Sequence, residues 1–166
     1  KRELVAHLGT KPSKIEVVPL AANSARRAFP TPEAELRATL GLGDRQVVLC
    51  MGAKRPHKNL ARVLEAVAML PAERRPKTVL PGYATPYEDE LRTLAADLGI
   101  ADDVVFVGWV PANDLEGLYA LADLVAFPSL HEGFGLPVLE AMSRGVPVVT
   151  ANRSAMPEVA GGAALL

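Results

Sequence analysis

The feature that most constrains the fold of this chain is a regular alternation of short apolar runs and segments with helical periodicity. Runs such as 46–51 and 124–127 are apolar on both faces, which is typical of strands that helices cover from both sides. In segments such as 60–70 the apolar residues recur roughly every three to four positions, which predicts amphipathic helices. The alternation repeats about five times and predicts an α/β fold with a doubly wound, mainly parallel, Rossmann-like sheet.

The boundaries of the predicted elements follow from the apolar runs and from helix start and stop signals. The predicted strands cover residues 15–18, 46–51, 78–80, 104–107, 124–127 and 146–149. The predicted helices cover residues 3–8, 60–70, 87–98, 114–121 and 136–143. Ligands of such sheets bind at the carboxyl ends of the strands, so we expect function in the loops that follow the strands.

Both ends of the chain indicate that residues 1–166 are a single domain of a longer protein. Residues 3–8 are typical of the end of a helix that Gly9 closes, so residues 1–14 are interpreted as the tail of a preceding element. Residues 161–166 are typical of a turn followed by the beginning of a strand.

Composition and charge exclude several classes of partner. The 18 basic and 19 acidic residues leave a net charge of −1, so we expect no nucleic acid partner. No apolar run reaches the roughly 18 residues that a membrane span needs, and the first residues do not form a signal peptide. The single cysteine, Cys50, lies in an apolar run and predicts a buried, reduced thiol, which favours a cytoplasmic location.

A loop rich in basic residues follows the strand predicted at 46–51. It contains Lys54, Arg55 and Lys58 and ends at Asn59, a residue that favours the N-cap of a helix. A cation beside a helix N-terminus is locally unfavourable, whereas an anion there is stabilised by free amides and by the helix dipole. The loop therefore predicts either a phosphate site or an ordinary solvated basic loop.

A second candidate loop precedes the helix predicted at 136–143. Gly133 and Gly135 allow a ligand to approach the backbone closely, and Glu132 between the strand and the helix is placed to reach a sugar. Glu140 lies among apolar residues of the helix, so its carboxylate needs polar partners, for which ribose hydroxyls are suitable. The alternative is an ordinary helix-start turn in which an acidic group satisfies the backbone amides.

A third loop, 108–111, follows the strand predicted at 104–107 and contains the single tryptophan of the chain, Trp109. We interpret this side chain as a cover for the core rather than as a surface for stacking a base. The backbone of Val110 is the better candidate for contacting the edge of a base.

The segment at 132–141 reads Glu-Gly-Phe-Gly-Leu-Pro-Val-Leu-Glu-Ala and resembles the Glu-x7-Glu motif of retaining glycosyltransferases of the GT-B fold, in the large group 1 or family 4 set. The loop at 52–59 resembles the donor-phosphate loop of that family. The resemblance runs from about residue 15 to the end, and its details are most similar to bacterial mannosyl- and rhamnosyltransferases. Further segments that match in order and spacing are 107–111, 122–123, 145–149 and 157–162.

The resemblance implies a role for each charged residue of the two loops. Lys58 would neutralise the donor diphosphate. The family often has an arginine where Ala53 stands, so either Lys54 or Arg55 would supply the second cation. Glu132 would be the catalytic carboxylate, binding sugar hydroxyls near the reacting carbon.

The same resemblance implies contacts for the rest of the donor. Glu140 would bind the ribose, and the backbone of Val110 would meet the base. Gly133 also belongs to the implied donor-binding set, and the amides that would hold the sugar or phosphate are those of Phe134, Gly135 and Leu136.

The implied activity is retaining transfer of a mannosyl- or rhamnosyl-like hexosyl group from a GDP- or UDP-linked sugar to a glycan or lipid-linked acceptor. The N-terminal acceptor domain of the family and its final C-terminal helix are not in this sequence, so we expect the chain alone to bind donor without transferring sugar. The missing domain implies peripheral association with the cytoplasmic face of a membrane. We expect no cofactor and no metal, because there is no Asp-x-Asp and the three histidines lack ligand-like spacing.

Three other functions are alternatives to sugar transfer. Other GT-B enzymes, such as a sugar-nucleotide epimerase or a phosphorylase, share the fold, but the Lys58 loop combined with Glu132 and Glu140 favours transfer. A non-catalytic nucleotide-binding module is the alternative from a different class. A dehydrogenase is disfavoured, because no Gly-x-Gly-x-x-Gly follows the first strong strand.

Overall fold

The computed structural model describes residues 1–18, 20–22 and 28–166. A five-stranded sheet forms its centre, with all strands parallel and in the order β3-β2-β1-β4-β5. The strands are β1 (Val47–Leu49), β2 (Lys77–Pro81), β3 (Val104–Val107), β4 (Leu124–Phe127) and β5 (Val148–Thr150). The prediction of an α/β fold with a doubly wound parallel sheet is confirmed.

Helices cover both faces of this sheet. Helices α3 and α4 pack on one face against residues such as Cys50 and Leu80, and α2, α5, α6 and α7 pack on the other face against residues such as Leu49, Val79 and Val125. None of the helices in the described part of the chain has the length and hydropathy needed to cross a membrane. The helices are α1 (Arg2–Leu8), α2 (Glu33–Leu40), α3 (Leu60–Ala68), α4 (Tyr87–Asp97), α5 (Ala112–Leu121), α6 (Leu136–Met142) and α7 (Met156–Ala160).

The strand order reverses direction at β1, which lies in the middle of the sheet between β2 and β4. Val48 is in register with Thr78 of β2 on one side and with Leu124 of β4 on the other. Crossovers on the two sides of such a point leave a crevice between the loops at the carboxyl ends of the two strands. The loops after β1 and after β4, which carry the candidate residues, therefore lie next to each other.

The predicted elements agree with the structure where an apolar pattern is strong. The apolar stripe of α3 consists of Leu60, Val63, Leu64 and Val67, and all four side chains are buried. The strand predicted at 146–149 begins only at Val148, because the preceding proline has no N–H to donate to the ladder.

The strand predicted at 15–18 is wrong. No strand is formed there, and the side chains of Val17 and Val18 are 63% and 79% exposed. An apolar segment becomes a strand only where a neighbouring strand pairs with its backbone, and the sheet of the described residues offers none here. At the other end the expected strand begins to pair, since Leu165 forms a parallel bridge with Val149 of the edge strand.

Two helices were not predicted from the sequence. Helix α2 follows Pro32, has Glu33 and Glu35 in its first turn and ends at Gly41, so its start and stop signals were present. Helix α7 has only five residues, of which Met156 and Ala160 are buried. A helix this short carries too little periodicity to be recognised from sequence.

The predicted burial of Cys50 is confirmed, since the side chain is 1% exposed and forms no disulfide. Burial raises the pKa of its thiol to about 12. Because the thiolate is the reactive form, we expect Cys50 in the folded chain not to react with a disulfide reagent such as Ellman's at pH 8. The same chain in guanidinium chloride serves as the control and should release one equivalent of chromophore rapidly. Rapid release from the folded chain would contradict this account.

Candidate functional site

The loop after β1 and the loop after β4 are joined directly by hydrogen bonds. The amide of Leu130 donates to the carbonyl of His57 at 2.8 Å, and Asn59 Nδ2 donates to the carbonyl of Pro128 at 3.2 Å. Asn59 occupies the N-cap position of α3, as expected, but its side chain does not cap that helix. It lies in the left-handed region with φ 57° and instead holds the two loops together.

Lys58 of the loop after β1 and Glu132 of the loop after β4 form an ion pair between these loops. Lys58 Nζ lies 2.6 Å from Glu132 Oε1, and both side chains are only about 15% exposed. The same Nζ lies 4.9 Å from the centre of the Phe127 ring at the end of β4. The structure thus brings together the two charged residues that sequence reasoning placed at the centre of the site, although they are 74 positions apart.

The backbone of Glu132 is fixed by a residue that sequence reasoning missed. Ser154 Oγ donates to the Glu132 carbonyl at 2.7 Å and accepts from the Glu132 amide at 3.2 Å. Ser154 has a positive φ of 54°, which is uncommon for a residue other than glycine. A serine in a loop after β5 gives no signal in the sequence that would have predicted this contact.

Gly135 begins α6 in a conformation that only glycine adopts readily. Its φ is 105°, and a Cβ at this position would lie 2.3 Å from the Cε atom of Met156. The tight packing fixes the turn from Gly133 into α6. The amides of Phe134, Gly135 and Leu136 lie where a helix begins, and the first N–H groups of a helix have no acceptor within it.

Glu140 lies on α6 and accepts a hydrogen bond from Tyr119 of α5. The hydroxyl of Tyr119 lies 2.9 Å from Glu140 Oε2, and the tyrosine is fully buried. Burial and the charge of Glu140 raise the pKa of Tyr119 far above its usual value, so the hydroxyl keeps its proton and acts as the donor. The sequence held a signal for this contact, because a buried tyrosine hydroxyl usually needs a partner.

Arg144 contacts both members of the Tyr119–Glu140 pair. Its guanidinium lies 4.6 Å from the centre of the Tyr119 ring and also donates to the backbone carbonyl of Glu140 at 2.8 Å. Two further nitrogen atoms donate to the carboxylate of Glu116 at 2.5 and 2.9 Å. The pair with Glu116 is the principal cause that raises the pKa of Arg144. A single network therefore links α5 to the carboxylate of Glu140 and to its backbone carbonyl.

Lys54 lies in the interior, in contrast to the expectation that it could contact phosphate. Its side chain is fully buried, and Nζ donates to the carbonyls of Gly82 at 2.7 Å and Val107 at 2.5 Å, with Glu88 Oε2 at 3.5 Å. Burial lowers the pKa of Lys54, and the charge of Glu88 opposes that shift. Lys54 thus ties the loop after β1 to the loop after β2 and to the last residue of β3, and it has no exposed surface for a ligand. The side chain of Arg55, by contrast, is exposed.

A small cleft of about 220 Å³ opens between the loops that follow β1, β2 and β3. Val110 lines it, as the base-contact prediction requires, and so do Tyr83 and Trp109, both 65% exposed. The interpretation of Trp109 as a cover for the core is therefore wrong. Gly52 also lines the cleft and lies beneath Lys58, since a Cβ there would be 3.4 Å from Lys58 Cε, so the cleft and the ion pair share the loop after β1.

Known proteins show the same combination of fold and loops. The model of the glycosyl transferases group 1 family matches residues 32–163. The O-antigen chain mannosyltransferase B of Escherichia coli is 42% identical over 121 residues, 71% of this chain and 32% of that protein. The GDP-mannose-dependent alpha-(1-6)-phosphatidylinositol monomannoside mannosyltransferase of Mycolicibacterium smegmatis is 38% identical over 137 residues, 78% of this chain and 36% of that protein.

A solved structure is similar as well. The crystal structure of Anabaena HepE in complex with UDP and glucose superposes with a TM-score of 0.70 at 31% identity, over 78% of this chain and 36% of that one. The chain belongs to the group 1 glycosyltransferase family, which confirms the family predicted from the sequence. It spans about a third of the length of the two mannosyltransferases.

Lys54 and Arg55 are adjacent, but Lys54 is buried and Arg55 is exposed, so substitutions at the two positions should affect stability differently. Lys54→Met keeps the apolar stem but removes the donor to the carbonyls of Gly82 and Val107 and the cation beside Glu88, so we expect the free energy of unfolding to fall by about 3 kcal/mol. Arg55→Ala, the matched control, removes an exposed neighbour and should change it by less than about 0.5 kcal/mol. Urea unfolding followed by circular dichroism measures both. Equal effects of the two substitutions would contradict the assignment of Lys54 to the interior.

Proposed function

We propose that this chain is the donor-binding half of a retaining hexosyltransferase and binds a nucleoside-diphospho-sugar in the crevice between the loops after β1 and β4. The Lys58–Glu132 pair at the reversal of strand order carries this proposal, because it combines a cation for phosphate with a carboxylate for sugar hydroxyls. The remainder of the longer protein supplies the acceptor site, so the chain alone binds donor without transferring sugar. Family membership favours transfer over epimerase and phosphorylase chemistry.

Lys58 is the primary phosphate ligand of the proposed site. An ammonium group donates up to three hydrogen bonds, so Lys58 can hold Glu132 and a phosphate oxygen at the same time. Arg55, exposed in the same loop, is the second cation in place of Lys54. The amides of Phe134, Gly135 and Leu136 approach the donor from the other loop, where Gly133 leaves the backbone open.

This arrangement explains how the site would promote departure of the nucleoside diphosphate. Negative charge develops on the leaving phosphate as the bond to the sugar breaks. The ammonium of Lys58 and the loop amides are held in place beforehand and stabilise that charge without reorganising. Glu132, whose backbone Ser154 fixes, would position the sugar by its hydroxyls. The proposal includes no metal ion and no cofactor.

Glu140 is the proposed ribose ligand. A carboxylate offers about four acceptor positions, and the Tyr119 hydroxyl occupies one, so others are left for the 2′ and 3′ hydroxyls. The base would enter the cleft beside Val110, with Tyr83 and Trp109 at its rim. We infer a mannosyl-type donor first, because both relatives named above are mannosyltransferases, and a GDP-linked donor before a UDP-linked one. Transfer to a glycan or lipid-linked acceptor and peripheral membrane association stay predictions.

Lys58→Ala tests the phosphate role. We expect this change to weaken GDP or UDP binding by roughly 10- to 150-fold, the value of a charge-assisted contact, and to leave binding of the free nucleoside unchanged. Lys77→Ala is the control. Lys77 begins β2 and so lies at the amino ends of the strands, away from the proposed site, and its substitution should not change either affinity. Calorimetric titration measures the affinities of the unaltered chain and of both variants for the nucleotide and for the nucleoside. Equal losses for nucleotide and nucleoside would rule the phosphate role out.

Glu132→Gln and Glu140→Gln separate the two carboxylates. Glu140→Gln removes ribose contacts and should weaken nucleoside diphosphate and nucleotide sugar alike, because the ribose does not react. Glu132→Gln removes a negative charge beside Lys58, so nucleoside diphosphate affinity should stay equal or rise while the turnover number of the full-length enzyme falls. If Glu132→Gln abolished nucleotide affinity and Glu140→Gln left it intact, the two roles would be reversed.

A further inference from the structure

Tyr119 contacts the carboxylate of Glu140, and the proposed function gives this tyrosine no role beyond occupying one acceptor position. It is fully buried on α5, and its hydroxyl donates to Glu140 Oε2 at 2.9 Å across to α6. Glu140 itself is only half-buried and lies four residues after Leu136, one turn into the helix. One oxygen of the carboxylate is therefore held from the interior, while the residue as a whole stays partly exposed to solvent.

The ring of Tyr119 and the carboxylate of Glu140 belong to one network of contacts. Arg144 lies over the ring, donates to the backbone carbonyl of Glu140 and is itself held by both oxygen atoms of Glu116. The backbone of Glu140 and the donor to its side chain are thus fixed by a single network. A free glutamate side chain loses rotamer freedom when it binds a ligand, and a side chain that is already held loses less.

We propose that Tyr119 is a positioning residue that holds Glu140 in the orientation that accepts the ribose hydroxyls, and so gives the chain its preference for ribonucleotides. The inference rests on the proposed ribose role of Glu140 and adds the group that enforces it. Functional side chains are effective when their supporting contacts lock their rotamers, and a buried phenol with a fixed ring is such a support.

A purely structural role of Tyr119 makes a different prediction. Tyr119→Phe keeps the ring, its packing in the core and the contact with Arg144, and it removes only the hydroxyl. A residue that served only packing would lose little by this change, and any loss would affect every ligand equally. A positioning residue affects only those ligands that carry the hydroxyls bound by Glu140.

The experiment compares ligands with and without those hydroxyls. Whichever of GDP and UDP binds the chain more tightly is titrated by calorimetry beside its 2′,3′-dideoxy counterpart. We expect Tyr119→Phe to weaken the ribonucleotide by about tenfold and the dideoxynucleotide by less than about twofold. In the Glu140→Gln background Tyr119→Phe should add nothing further, because the carboxylate that it positions is gone. Tyr87→Phe, which removes the hydroxyl of a tyrosine on α4, is the matched control and should change neither affinity.

The possible outcomes separate this inference from the proposed function. An equal loss for both ligands, or no loss for either, overturns the positioning role of Tyr119 while the ribose role of Glu140 stands, provided that Glu140→Gln alone reduces the preference for the ribonucleotide. If Glu140→Gln leaves that preference unchanged, the ribose role fails and this inference fails with it. If the chain binds neither GDP nor UDP, the proposed donor site itself is overturned.

Discussion

Pairing of β1 with both β2 and β4 is the constraint on which the rest of this structure depends. Because all three strands are parallel, their carboxyl ends lie at one edge of the sheet, and the reversal of strand order at β1 places the loops after β1 and β4 side by side at the point where ligands of such sheets bind. Lys58 and Glu132, 74 positions apart in the chain, meet between these two loops at 2.6 Å. No local property of either loop could produce this pair without the sheet beneath it.

The strong elements of the fold could be predicted because their signals are local. The strands at 104–107 and 124–127 have the predicted bounds, since each is an apolar run of strand length between loop residues. The segment at 15–18 has a similar run but no pairing partner in the described sheet, and that information is not local. Helix α7 was missed because five residues around Met156 hold too little pattern.

The candidate site also contains residues that local sequence signals predict and residues whose placement depends on other segments of the chain. Glycine spacing and charge identified Gly135 and Lys58, whereas nothing in the basic loop distinguishes buried Lys54 from exposed Arg55. The direction of a side chain depends on which neighbouring segments supply acceptors, and the carbonyls that hold Lys54 come from the loop after β2 and from the end of β3. Trp109 shows the reverse error, because a large aromatic residue favours the core on average but here lies exposed at the rim of a cleft.

A crystal structure of the chain with bound GDP or UDP tests the central claim most directly. The account predicts a phosphate oxygen within about 3.2 Å of Lys58 Nζ and a ribose hydroxyl within the same distance of a Glu140 carboxylate oxygen. It would be contradicted by a diphosphate bound elsewhere with the crevice unchanged. The cleft of about 630 Å³ at the opposite edge of the sheet, lined by Arg45, Arg74 and Arg75, is the place where such a result would be expected.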